Sequence, residues 1–131
     1  MLQIDLLSPS RPVVSAQASE VGLPGKEGYL GILPGHAALI TELGVGELRI
    51  VGDAFSRKFF ISGGYAEVLN DRVQVMADVV DAAGEIDLER AKKARDRALE
   101  RLKNSGPTSL DVFRAEASLK RALYRLKISQ S

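Results

Sequence analysis

The segment from Gly25 to Gly46, GKEGYLGILPGHAALITELGVG, restricts the fold more than any other part of the chain. It holds six of the twelve glycines, together with Pro34 and the sole histidine, His36. Glycine serves where backbone turns through positive φ or approaches another backbone closely, and proline fixes a turn. Between these punctuation marks lie short apolar pieces: Tyr29-Leu30, Ile32-Leu33 and Ala37 to Ile40. The pattern predicts short strands joined by tight corners, with a rigid turn presented at Pro34-Gly35-His36. A bend specified this heavily suits a docking surface as well as a fold.

Through residue 83 the chain reads as β structure. Leu2, Ile4 and Leu6 alternate with Gln3, Asp5 and Leu7, as in a strand with one buried face. Ser8 to Pro12 breaks the run, Val13 to Ala16 resumes it, and Gly22 to Gly25 reads as a second break. Glu47 to Val51 alternates again, Gly52-Asp53 turns, and Arg57 to Ile61 forms the next strand before a corner at Ser62-Gly63-Gly64. Tyr65 to Leu69 and Arg72 to Met76, separated by Asn70-Asp71, predict a hairpin with a two-residue turn. Strands this short with turns this frequent point to a β-sandwich or flattened barrel.

The period changes after Gly84. Asp87 is a candidate N-cap, and Leu88, Ala91, Ala94, Ala98 and Leu102 follow at helical spacing. Asn104 to Pro107 ends that helix, and Thr108 with Asp111 resembles a weak capping box. Val112, Ala115, Leu119, Ala122 and Leu126 define a second stripe. So short a connection predicts an antiparallel helical hairpin, and seams so rich in alanine bury little area. The expected class is therefore α+β: an N-terminal antiparallel β-sandwich over 1–84 and a two-helix hairpin over 85–131.

Charge follows the same division. Residues 1–86 carry six Lys/Arg against eleven Asp/Glu, whereas residues 87–131 carry twelve against six. Opposite signs argue for two modules with different partners. The chain has no cysteine, and one histidine cannot complete a structural zinc site. The start, MLQIDLLSPSRP, lacks the basic n-region of a signal peptide, and Gly28 to Thr41 is too short to span a bilayer. The expectation is a soluble chain without direct membrane insertion, reaching a membrane only through a partner.

Chemistry-bearing constellations are few. His36 has no serine, carboxylate or ligand set placed beside it by sequence, so it reads first as a surface or hydrogen-bonded structural residue, with contact on a docking loop as its functional use. Gly22 to Lys26 lacks the spacing of a phosphate loop and no helix follows it. No nucleophile, base or metal cluster can be assembled, which speaks against an enzyme. Arg90, Arg97 and Arg101 share one side of the first helix, and Arg121 and Arg125 are one turn apart on the second. Such guanidinium forks can grip a polyphosphate bidentately. With Glu89, Asp96, Glu100 and Glu116 interspersed, a solvated face or contact with an acidic protein surface is the simpler reading. Nucleic acid is disfavoured, since Phe113 and Tyr124 are the only aromatics there.

Together the motifs resemble the epsilon subunit of F-type ATP synthases along essentially the whole chain. Gly28 to Thr41, GYLGILPGHAALIT, is similar to that family's G-x-L-G-I-L-P-G-H-x-P-L-x-T signature, and Ser62 to Val68 to its S-G-G-x-x-E-V element. Ala38 stands where proline is common, and Tyr29 where some relatives carry an acidic residue. The resemblance implies a non-catalytic rotor subunit that needs no cofactor. Its sandwich would dock on the gamma subunit and on the polar loops of the c-ring, with Tyr29, Leu30, Pro34, Gly35 and His36 facing those partners. Its hairpin would regulate: folded down it is permissive, and extended along gamma it meets the alpha and beta subunits of the catalytic head and inhibits ATP hydrolysis.

Ile86 to Ala91 also resembles the I/L-D-x-x-R-A motif of bacterial epsilon subunits that bind ATP between the two helices. That likeness implies ATP as a regulatory ligand, with Ile86, Asp87, Arg90, Ala91 and Arg97 on the first helix, Arg121 and Arg125 on the second, and Asp81 contributing. The implied location is the cytoplasmic face of a bacterial plasma membrane, held peripherally. The competing reading, from another class, is a free-standing ATP- or anion-sensing module that never joins a motor.

Overall fold

A computed structural model describes residues 1–104 and 110–129, and it divides into two units, Met1–Ala82 and Ala83–Ser131. The first unit contains eight strands: β1 Leu2–Leu7, β2 Pro12–Ala18, β3 Glu20–Gly25, β4 Gly28–Ile32, β5 Leu39–Glu42, β6 Val45–Val51, β7 Ser56–Leu69 and β8 Arg72–Ala82. They hydrogen-bond in the order β2-β1-β8-β7-β6-β3-β4, and β5 joins β7. The β1–β8 pairing is parallel and the others are antiparallel.

Two long strands convert this ribbon into a sandwich. The first half of β7 pairs with β6 through Ser62, and its second half pairs with β5 from Tyr65 onward. The change falls at Gly63 and Gly64, whose φ values are +76° and +115°. A side chain on Gly64 would strike the main-chain carbonyl of Met76 on β8, so only glycine lets the two strands run this close. The inward phase also switches there. Phe59 and Ile61 face the core before the bend, and Ala66 and Val68 face it after; opposite them, Val73, Val75 and Ala77 give way to Val80 and Ala82. One ribbon thus lines the core from both layers. The predicted corner at Ser62-Gly63-Gly64 is a bend inside one continuous strand, because neighbours on both sides keep the ladder paired.

The core is built from alternating residues, as the sequence pattern requires. Leu2, Ile4, Leu6 and Val14 meet Val21, Leu23, Leu48, Ile50 and Phe59, all buried. The expected break at Gly22 to Gly25 is instead the body of β3, paired with β4 from Val21↔Ile32 to Gly25↔Gly28. Glycine is needed there because Gly22 must leave room for the ring of Tyr29, which crosses it from the neighbouring strand.

The outer face of β2-β1-β8-β7-β5 is ordered in rows by register. Gln17, Gln3, Arg72 and Leu69 form one row; Ser15, Asp5, Gln74, Glu67 and Ile40 the next; Leu7, Met76, Tyr65 and Glu42 a third. Its β1–β2 side satisfies itself: Ser15 Oγ donates to Asp5 Oδ1 at 2.8 Å, Gln17 Nε2 donates to Gln3 Oε1 at 2.8 Å, and Arg72 lies 3.6 Å from the Asp5 carboxylate. Its β5–β7–β8 side leaves apolar surface bare, with Ile40 74% and Tyr65 61% exposed, and with Met76 and Leu69 exposed beside them.

The second unit opens with a 3₁₀ turn over Ala83–Glu85, followed by α1 Leu88–Asn104 and α2 Leu110–Ser129, which pack on each other. Asp87 caps α1: its Oδ1 accepts the Arg90 amide at 3.1 Å, and its carbonyl accepts the Ala91 amide at 3.0 Å. Ala91 and Ala98 on α1, and Ala115 and Ala122 on α2, are buried at seven-residue spacing, and Leu126 and Ile128 extend the buried set on α2. Small residues at a repeating seam let two helices approach closely while removing little apolar area from water. Leu88, expected on the seam, is exposed, because it occupies the first helical position before the stripe begins. Thr108 of the predicted capping pair lies outside the described residues, so the pair has no structural outcome here. Among the described residues, no helix is long and apolar enough to cross a membrane.

Candidate functional site

Leu33 to His36 form a β-turn. The His36 amide donates to the Leu33 carbonyl at 3.1 Å, and Gly35 has φ +86°. Proline at the second position and a left-handed glycine at the third are the signature of a type II turn. Leu33, Pro34 and Gly35 are exposed, and His36 is half-buried, its Nδ1–H donating to the Ala37 carbonyl at 2.7 Å. That bond selects the tautomer whose Nε2 is left as an acceptor. The predicted turn is therefore present at Pro34-Gly35-His36, and its crest faces solvent.

This turn is fastened to another. Asn70 and Asp71 close the β7–β8 hairpin with the two-residue turn that the sequence predicts, and their φ values of +48° and +60° make it type I′. Asp71 Oδ1 accepts the Gly35 amide at 2.7 Å. The Asp71 carbonyl in turn accepts the Gln3 amide at 2.9 Å, which ties the hairpin tip to β1. No local pattern reveals the Gly35–Asp71 contact, which joins residues 36 apart in sequence.

Tyr29 and Leu30 are fixed by other neighbours. Tyr29 lays its ring over Gly22 on the outer side of β3 and still exposes 60% of its surface. Burial raises the Tyr29 phenol above its ordinary value near 10; Glu47 and Glu20 add to the rise, and Arg49 opposes it. Leu30 is half-buried and packs against the sandwich core, so less of it is available to a partner than of Tyr29.

On the hairpin, Asp87, Arg90 and Arg97 line one open recess of α1 together with Glu89, Lys93 and Asp96. Among the described residues, three acids and three bases balance in its lining. Lys92 lies 3.8 Å from Glu89, and Arg95 lies 3.1 Å from Asp96. Arg121 and Arg125 stand one turn apart on α2, both half-buried, outside that recess; Arg121 donates to Ser118 Oγ at 3.2 Å. Ile86 is half-buried ahead of α1, Ala91 is on the helix–helix seam, and Asp81 is on β8 in the first unit. Glu89, Lys93 and Asp96 were not among the predicted site residues; helical spacing from Arg90 would have found Lys93. Among the described residues, no group of His, Cys, Asp and Glu side chains converges as a metal site would need.

Comparison with known proteins covers nearly the whole chain. Residues 1–83 match the family model described as ATP synthase, delta/epsilon chain, beta-sandwich domain, and residues 85–130 match its long alpha-helix domain. An ATP synthase epsilon chain of Desulforamulus reducens is 43% identical over 128 residues, covering 98% of this chain and 96% of the relative. One from Moorella thermoacetica is 43% identical over 127 residues, covering 96% and 94%. Among solved structures, a chain of the Euglena gracilis mitochondrial ATP synthase (OSCP/F1/c-ring, by cryo-EM) superposes with a TM-score of 0.85. Its identity is 21%, over 99% of this chain and 81% of that one, which is a likeness of fold.

Proposed function

The chain belongs to the ATP synthase epsilon family of non-catalytic stalk subunits, and on that premise we propose how its two units divide the work. The sandwich is the anchoring unit. Its Leu33 to His36 crest, with Tyr29, meets the polar loops of the c-ring, and its bare β5–β7–β8 face receives the gamma subunit. The observation that carries this reading is the asymmetry of that outer face. The Gln3, Asp5, Ser15 and Gln17 side closes its own hydrogen bonds, whereas Ile40, Tyr65 and Met76 leave apolar surface to be covered. The subunit sits peripherally on the cytoplasmic face of a bacterial plasma membrane, held there by the rest of the complex.

The hairpin is the regulatory unit. Its excess of positive charge suits an acidic surface on the alpha and beta subunits, and its small-residue seam makes it the easier unit to rearrange. Folded down it permits ATP hydrolysis, and extended it inhibits. ATP is the ligand that favours the folded-down state. The α1 recess supplies Asp87, Arg90 and Arg97, with Ile86 and Ala91 shaping the start of that helix. Because the recess lining is neutral overall, the phosphates depend on Arg121 and Arg125 of α2 for net positive charge.

Truncation after Gly84 tests the division. The sandwich alone is expected to rebind an ATP synthase depleted of this subunit, and hydrolysis by the resulting enzyme is expected to exceed that of enzyme rebuilt with the full chain. Unchanged hydrolysis removes the regulatory role; failure to rebind removes the anchoring role.

A further inference from the structure

We propose that Asp71 is a positioning residue for docking: its carboxylate holds the Leu33–His36 turn in the conformation the partner meets. The inference rests on the reading of that turn as a docking element. It goes beyond that reading by assigning the turn's geometry to a residue in another loop.

The six residues between β4 and β5 form a short connection with an exposed crest. Among the described residues, its other hydrogen bonds are internal: His36 amide to Leu33 carbonyl, and His36 Nδ1 to Ala37 carbonyl. These close the turn but do not fix its angle to the sandwich. The Gly35 amide points away from the turn's own bond, and the Asp71 carboxylate takes it at 2.7 Å. An N–H donated to a carboxylate is short and strong relative to a neutral pair.

Asp71 is itself placed from three sides. Its φ of +60° is fixed by the hairpin turn, its carbonyl receives the Gln3 amide, and the next residue, Arg72, pairs with Gln3 in the sheet. The carboxylate is thus a fixed point on the sandwich, and Gly35 hangs from it. Between the two loops lies a shallow recess with His36, Ala37 and Ala38 on one side and Leu69 and Asn70 on the other. Docking surface and recess both keep their shape only while the bond stands.

The backbone of Asp71 dictates the choice of variants. Alanine at this φ is strained, so Asp71→Ala would damage the hairpin as well as the bond. Asp71→Gly removes the acceptor while suiting the left-handed backbone. Asp71→Asn keeps an acceptor oxygen, tolerates the same φ and removes the charge. Full-length chains carrying each change are titrated against an ATP synthase depleted of this subunit, with thermal unfolding measured in parallel.

The expected result is a rebinding constant weakened about fivefold for Asp71→Gly, near-wild-type rebinding for Asp71→Asn, and similar unfolding midpoints for both. Rescue by asparagine is what a directly charge-pairing aspartate would not give, and unchanged unfolding midpoints are what a merely structural one would not give. Asp71→Asn as weak as Asp71→Gly overturns the proposal, because the charge would then be read by the partner. Undiminished rebinding by Asp71→Gly while Leu33→Ala with His36→Ala weakens it overturns the positioning role alone. Undiminished rebinding by both overturns the docking reading of the turn and the proposal with it.

Discussion

The ring of Tyr29 on β4 lies across Gly22 on β3, so that a β-carbon at Gly22 would occupy the place of the Tyr29 hydroxyl. An aromatic side chain covering a cross-strand glycine shields backbone that would otherwise be bare, and it ties β4 to the sheet.

That contact has a pH signature. Tyr29 has its phenol raised above 10 by burial first and then by Glu47, so the folded state holds the proton more tightly than the unfolded chain does. The resulting stability is complete below pH 10 and is lost as pH rises through the higher folded value. Denaturant unfolding of wild type and Tyr29→Phe across pH 9 to 12 is expected to show a steeper decline for wild type. Parallel declines would mean that the phenol is not perturbed.

Two glycine-to-alanine changes are expected to differ sharply. At Gly22 the obstacle is the far end of an exposed side chain, which can swing aside; the cost is about 1 kcal/mol or less, and the Tyr29 titration moves back toward 10. At Gly64 the obstacle is the Met76 carbonyl, and φ is +115°, so nothing yields cheaply. A loss of roughly 3 kcal/mol or more is expected there. Urea titration of both variants checks the contrast.

The helix seam is close-packed on alanine, with Ala98 and Ala122 each 1% exposed. Ala98→Leu is expected to cost the hairpin about 1–3 kcal/mol through overpacking. The sandwich core has all its residues between Leu2 and Ala82 and should be untouched. Limited proteolysis should therefore cut the variant's helices sooner than wild type's while leaving a fragment of about 1–82 intact.

The nucleotide reading is checked by calorimetry on the full chain. Arg121→Ala with Arg125→Ala is expected to weaken ATP binding at least tenfold, since the α1 recess alone offers no net charge. Equal affinity for wild type and double variant rejects the assignment. At about 100 times its dissociation constant, ATP adds roughly 2.7 kcal/mol to the state it prefers, enough to shift a hairpin held by a small-residue seam.

Local patterns disclosed much of this architecture. The alternation of Leu2, Ile4 and Leu6, the Asn70-Asp71 turn, the Asp87 cap and the alanine stripes each depend on neighbours a few residues away, so the sequence carries them openly. What stayed hidden depends on distant partners. Gly22 to Gly25 reads as punctuation until Tyr29 is seen lying over it. Ser62-Gly63-Gly64 reads as a break until β5, β6 and β8 are seen to keep it paired. In the candidate site, the turn at Pro34-Gly35-His36 was legible from proline and glycine alone. Its attachment to Asp71 was not, because nothing near either residue encodes their meeting.

Because β7 and β8 are woven through both layers, the sandwich has no hinge line along which its halves could slide. A sideways push delivered at the Asn70-Asp71 tip enters a single stiff ribbon and reaches both walls together. In the anchoring role proposed above, such a handle would transmit twist as one body instead of absorbing it as internal shear.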